Sequence, residues 1–290
     1  YGTGLYPADQ TFKYPKAGEN NSLVSLHIYD LSKRKNFPAN IKAFEQYYIP
    51  RIQWTKEANV LAVTTINRHQ NNLNLVSFDA NSNEASLLLN ESDPAYIDIK
   101  DDLTFLHDNS FIWSSERDGF NHLYIYGKNG KLQNQITSGA WEVTKYYGFD
   151  KKTKKIFYQS TEEGSINRSI YSIDISGKKK KKLSKYIGTN SAAFSNSLNY
   201  FVNTYSSATN PTVYTLVDAI TGNELKEIKN NLNLAEKLTA YDLPAKEFST
   251  IKTSNGEFNM WMMKPKDFDP NKKYPMLMFQ YSGPGSQQVA

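Results

Sequence analysis

The sequence has no cysteine, so disulfide staples, thiolate metal ligands and cysteine nucleophiles are excluded. No stretch approaches the ~20 apolar residues that a membrane-spanning helix needs. Tryptophan is scarce, with 4 residues against 20 Tyr and 15 Phe. That aromatic balance favours strands over helices. One-sided charge is also lacking. The 34 Lys and Arg and 29 Asp and Glu leave a formal net charge of +5, much of it at residues 178–182, all lysine. One like-charge block, with the aromatics recurring elsewhere at the spacing of a core, does not point to nucleic acid. No ligand spacing suggests a metal or a cofactor. The amino terminus, Tyr1-Gly-Thr-Gly-Leu-Tyr-Pro, has no initiator methionine and no charged-then-apolar leader. The chain therefore reads as a piece of a longer one, with any signal or anchor upstream.

What is present is a repeat. Five segments share an apolar strand, usually an Asp, and a polar turn. They begin at His27 (His-Ile-Tyr-Asp-Leu-Ser), Val76 (Val-Ser-Phe-Asp-Ala-Asn), Tyr124 (Tyr-Ile-Tyr-Gly-Lys-Asn-Gly), Ser172 (Ser-Ile-Asp-Ile-Ser-Gly) and Leu216 (Leu-Val-Asp-Ala-Ile-Thr-Gly). Successive copies lie roughly 44 to 49 residues apart, within the range for propeller blades. Before each of the last four copies comes a strand of buried type, starting at Val60, Phe111, Ile156 and Tyr200. A wetter strand follows most of them. The unit is a four-stranded antiparallel sheet with a short innermost strand, two hydrophobic middle strands and a polar outer one. The first copy lacks its two inner strands, so the count is about four and a half blades.

After residue 230 the pattern changes. Asn231-Leu-Asn-Leu-Ala-Glu-Lys-Leu reads as one or two helical turns and Asp242-Leu-Pro-Ala as a linker. Asn255-Gly256 between two apolar runs predicts a hairpin. Tyr274-Pro-Met-Leu-Met-Phe-Gln-Tyr predicts a buried strand running into a Gly/Pro loop. The expected division is blades over 1–230, a linker over 231–246 and the start of another domain over 247–290.

Five pieces then resemble the prolyl oligopeptidase family of serine peptidases, in its dipeptidyl peptidase IV branch. They are Tyr14-Pro-Lys-Ala-Gly, Ser115-Glu-Arg-Asp-Gly-Phe-Asn-His-Leu-Tyr, Gly139-Ala-Trp-Glu-Val, Lys273-Tyr-Pro and Tyr281-Ser-Gly-Pro-Gly-Ser-Gln. They occur in the family's order and span nearly the whole chain. The resemblance implies an all-β partial propeller taken from an eight-bladed ring, followed by the first strands of an α/β-hydrolase domain. It also implies release of dipeptides from peptides with proline or alanine second. An exported, periplasmic or cell-surface location and a homodimeric intact protein are implied by the resemblance alone.

An α/β hydrolase exposes its nucleophile on a Gly-x-Ser-x-Gly elbow. This stretch contains none, and its four histidines, His27, His69, His107 and His122, lie among the blades. A triad cannot be assembled from it, and the chain by itself is expected to be inactive. One catalytic candidate remains: Tyr281 matches the family tyrosine whose hydroxyl donates to the oxyanion. The alternative is a strand-end tyrosine that packs on the sheet.

The family's glutamate pair for the substrate amino group would precede Tyr14. Glu162-Glu163 imitates it but reads as a solvated hairpin turn. Tyr96-Ile-Asp-Ile-Lys offers no arginine for the family's substrate contact. The lysines at 178–182 read as an exposed turn and outer strand, although phosphate or acidic lipid is a possible ligand. Asp30, Asp79, Asp174 and Asp218 read as turn-capping residues, and Trp54, Trp113, Trp141 and Trp261 as packing residues. The competing function is a non-enzymatic propeller that binds a peptide or protein. Release of acylated residues or tripeptides is a nearer alternative.

Overall fold

The computed structural model describes every residue except 1–3, 7, 8, 10, 15, 45, 46, 242, 282, 284, 285 and 290. The chain divides into two compact units, Tyr1–Ile99 and Lys100–Ala290.

In the first unit a hairpin of β1 (His27–Asp30) and β2 (Lys35–Pro38) precedes a four-stranded antiparallel meander. Its strands are β3 (Tyr48–Trp54), β4 (Val60–Ile66), β5 (Asn72–Asp79) and β6 (Glu84–Ser92), in sequence order. Side chains alternate across a strand. Leu61 and Val63 of β4 therefore join Val76 and Phe78 of β5 on one face, where Ile28 and Phe37 of the hairpin cover them.

The second unit holds three more four-stranded meanders. One comprises β7 (Thr104–Phe105), β8 (Phe111–Ser115), β9 (His122–Tyr126) and β10 (Leu132–Gln135). The next comprises β11 (Val143–Asp150), β12 (Lys155–Ser160), β13 (Ser169–Asp174) and β14 (Lys181–Lys182). The last comprises β15 (Thr189–Phe194), β16 (Tyr200–Ser206), β17 (Val213–Asp218) and β18 (Glu224–Lys229). The sheets stack face to face. Ile156 and Tyr158 of β12 pack with Ile112, Leu123 and Ile136 of the sheet before, while Phe157 between them packs with Phe201 and Val217 of the sheet after. A strand covered on both faces loses polar alternation and reads as a continuous apolar run. This is propeller packing, and one half-sheet with four full sheets matches the expected four and a half blades.

The inner strands differ from expectation. Only β7 is short, while β3, β11 and β15 have 7, 8 and 6 residues. Their mixed burial leaves no apolar run to read. Three of the repeated aspartates cap their turns. Asp30 accepts from the backbone N–H of Ser32 and Lys33, Asp79 from Asn81, and Asp218 from Ile220 and Thr221. Asp174 instead faces Lys179 at 3.6 Å. Trp113 is buried and Trp141 half-buried, as expected of packing residues. Trp54 and Trp261 are exposed, and the Lys246 ammonium lies over the Trp261 ring at 4.9 Å. His122 is fully buried. Its Nε2 lies 3.0 Å from the Gly139 carbonyl, which can only accept, so the proton sits there; Nδ1 then takes the Thr137 hydroxyl at 3.0 Å.

Beyond β18 come helix α1 (Leu232–Thr239) and the hairpin of β19 (Glu247–Thr253) and β20 (Gly256–Met262). Thr253 pairs with Gly256, so the two loop residues are Ser254 and Asn255, one place earlier than the Asn-Gly signal suggested. Residues 274–281 form no paired strand, contrary to expectation, and Leu277 is 96% exposed. A strand buried on both faces needs ladder neighbours and covering layers. Among the described residues β19 and β20 pair only with each other and offer it neither.

Candidate active-site segment

The segment that ends in Tyr281 begins with a held turn. Tyr274 stacks on Phe268 with ring centroids 5.2 Å apart, and its hydroxyl accepts from the Asp269 N–H at 2.9 Å. The chain then runs without regular secondary structure to Tyr281, whose side chain folds back over Gly283. A Cβ at Gly283 would stand 3.2 Å from Tyr281 Cε1. That is closer than ordinary van der Waals contact, so glycine lets the ring lie there. The Ser286 N–H closes the loop onto the Gly283 carbonyl at 3.1 Å. Ser282, Pro284 and Gly285 of this loop lie outside the described residues. Tyr281 is 65% exposed and its hydroxyl bonds to no described residue. A phenol O–H left in this way can donate to an oxygen that gains negative charge.

The turn between β12 and β13 meets this segment. Ser165 Oγ accepts from Asn259 Nδ2 of β20 at 2.9 Å, and the Ser165 carbonyl accepts from Gln287 Nε2 at 3.4 Å. Arg168 braces the same turn, donating from Nη1 to the carbonyls of Ser165 and Asn167, both at 2.8 Å. Burial draws its guanidinium pKa down from the ordinary value, and Glu142 opposes that shift. These contacts join residues 94 and 122 positions apart. No sequence pattern could have announced them.

Glu162 and Glu163 sit in that turn as expected, but they are not simply solvated. Lys180 pairs with Glu162, Lys182 pairs with Glu163 at 3.1 Å, and the Tyr171 hydroxyl donates to Glu163 at 3.0 Å. Lys182 foremost, with Tyr171, holds the Glu163 carboxyl below its usual range. Both carboxylates already have cations, so neither is waiting for a substrate ammonium.

The family described as the dipeptidyl peptidase IV (DPP IV) N-terminal region matches residues 1–212. The chain belongs to this family. The crystal structure of Porphyromonas gingivalis dipeptidyl peptidase 4 is similar at 45% identity with a TM-score of 0.89, over 100% of this chain and 41% of that one. Dipeptidyl peptidase 4 of Arthroderma otae is 29% identical over 98% of this chain and 38% of its own length. That of Trichophyton equinum is 28% identical with the same coverage. The chain thus spans about two fifths of the length of these dipeptidyl peptidases. The match to the DPP IV N-terminal region ends at residue 212, within the last four-stranded sheet and short of Tyr281.

Proposed function

We propose that this chain is the propeller portion, with the entry into the hydrolase domain, of a longer serine-type peptidase. That enzyme releases Xaa-Pro or Xaa-Ala dipeptides from the amino termini of peptides at an exported site. In this reading the blades gate the substrate and Tyr281 serves the chemistry. A serine on the remaining polypeptide attacks the scissile carbonyl carbon, and the carbonyl oxygen takes up the electron pair. The Tyr281 O–H donates to that oxygen as the charge develops. A donor set there in advance lowers the barrier by ~3 kcal/mol.

The observation that supports this best is the placement of Tyr281. It ends the apolar segment that follows the blades and hairpin, its ring is seated on Gly283, and its hydroxyl bonds to no described residue. The test is Tyr281→Phe in the full-length protein, assayed on a chromogenic Gly-Pro substrate. The expected result is a fall in kcat of about 10²- to 10³-fold with little change in KM. An unchanged kcat would remove Tyr281 from the mechanism. An intact, folded wild-type protein with no turnover would favour the binding propeller.

A further inference from the structure

We propose that the lysine-rich end of the β11–β14 sheet is a docking surface for a lipid bilayer that carries anionic headgroups. Two turns build it. The β11–β12 turn presents Lys151, Lys152 and Lys154, and the β13–β14 turn presents Lys178 and Lys179, all exposed. The turns adjoin, because the Ile175 N–H donates to the Lys154 carbonyl at 3.0 Å and Lys155 faces Asp174 in the ladder. In the preceding sheet the β9–β10 turn, equivalent in the meander, adds exposed Lys128 and Lys131.

The local carboxylates, Asp150 and Asp174, offset only part of the charge of the five lysines. Asp150 is occupied by its own turn, accepting from the Lys152 N–H and from the N–H and hydroxyl of Thr153. Asp174 faces Lys179 at the edge of the turn. The five-lysine run is thus split by the fold. Lys180 and Lys182 reach Glu162 and Glu163 beyond the far end of β12, and Lys181 donates to the Thr221 carbonyl. Lys178 and Lys179 remain with the 151–154 turn.

Backbone geometry carries the argument further. Lys154 has φ 55° and Lys179 φ 53°, the left-handed region that crowds any Cβ against the following carbonyl and that Gly, Asn and Asp tolerate best. At the position of Lys154 two other sheets have asparagine, Asn59 and Asn199, while the left-handed Leu198, one place earlier in the last sheet, packs into the core with Phe194 and Phe201. Lys154 gains no such packing, because its side chain is in solvent.

The chemistry selects the partner. Every cation in the two turns is a lysine, a compact point charge suited to scattered phosphates and not to bidentate pairing. Neither turn offers an aromatic ring on which a base could stack. Tight turns projecting from a sheet end fit a plane better than a groove. The turn at 151–154 lies at the opposite end of β12 from the turn that holds Ser165 and its contacts with Asn259 and Gln287, about 17 Å away along the five steps of the strand, although Lys180 reaches back toward that end at Glu162. Docking would leave those contacts undisturbed.

The test is sedimentation of the full chain with phosphatidylcholine vesicles, with and without phosphatidylglycerol, at low and high salt. The variant is K151Q/K152Q/K154N/K178Q, in which K154N suits the left-handed turn and guards against misfolding. The proposal expects binding only with phosphatidylglycerol and weakening with salt. Each lysine near an anionic surface adds roughly fivefold, so the variant should lose about a hundredfold or more while its melting temperature does not fall. Equal binding to neutral vesicles would overturn it, since the exposed apolar residues 276–279 would then account for attachment. Variant binding within about twofold of wild type would also overturn it. So would tighter binding to a DNA oligonucleotide than to the vesicles at equal phosphate.

Discussion

Lys182 of β14 lies 3.1 Å from Glu163, which stands in the turn where β12 passes to β13. The pair is partly exposed, and Tyr171 completes it from the neighbouring strand. A carboxylate held in this way braces the turn that carries Ser165 and does not bind a substrate amine. If the full-length protein has the proposed activity, Glu163→Gln in it should leave KM for a Gly-Pro substrate within about threefold. It should lower stability by about 1 kcal/mol or less, as partly exposed pairs do. Steady-state kinetics and urea unfolding measure the two effects. A KM raised tenfold or more would mean that Glu163 touches substrate.

Phe157 sits between two sheets with no exposed surface, next to Phe194 at 5.0 Å. It marks the seam where one blade's face becomes the next blade's wall. Phe157→Ala should cost about 3–5 kcal/mol, since the seam can collapse only partly around the lost ring. Denaturant unfolding followed by Tyr and Trp fluorescence reads this out. A loss below about 1 kcal/mol would show that adjacent sheets do not depend on that contact.

The blades were legible because their middle strands are covered on both sides. Ile156-Phe157-Tyr158 has no polar interruption, and Asp30, Asp79 and Asp218 punctuate the ends. The inner strands were not legible, since β3 leaves Arg51, Gln53 and Trp54 in solvent and so lacks an apolar period. Residues 274–281 show the converse. Their apolar run is a strand pattern, but a strand exists only when another supplies its ladder. Tyr281 was found by its family motif, whereas Ser165, Asn259 and Gln287 meet only through the fold. The division of the lysine run between Glu162, Glu163 and the open turn likewise follows from β13–β14 register, which local sequence does not encode.

Lys154 tests the left-handed turn by itself. Its φ of 55° places the Cβ close to the following carbonyl, a strain that Asn relieves best among residues with side chains. Lys154→Asn should therefore raise stability by about 0.5–1 kcal/mol even though an exposed charge is removed. Lys151→Asn next to it is the control, expected to change stability by less than about 0.5 kcal/mol. Chemical denaturation of both variants decides the matter. Equal effects would assign the gain to charge and not to backbone.

Asp102 gives the fold a pH dependence opposite in sign to that of its turn aspartates. It is half-buried and accepts from the Ser114 hydroxyl at 2.8 Å. Burial pushes its pKa above the ordinary 3.8, with Ser114 and Lys100 only partly offsetting the shift. Asp218 is shifted down, chiefly by the Thr221 N–H, and Asp108 chiefly by the Ser110 hydroxyl. The turn aspartates contribute stability that is present above pH 3.8 and lost as pH falls through their lower folded values. For Asp102 the folded state holds its proton longer than the unfolded chain. Stability therefore declines as pH rises from 3.8 to the higher folded value, then levels. Asp102→Asn abolishes that decline and keeps an acceptor for Ser114. The variant should match wild type near pH 3.8, exceed it increasingly up to the folded value and hold a constant advantage from there to neutrality, as measured by urea midpoints across that range. A variant less stable at pH 7 than at pH 4, relative to wild type, would show that Lys100 outweighs burial at this carboxylate.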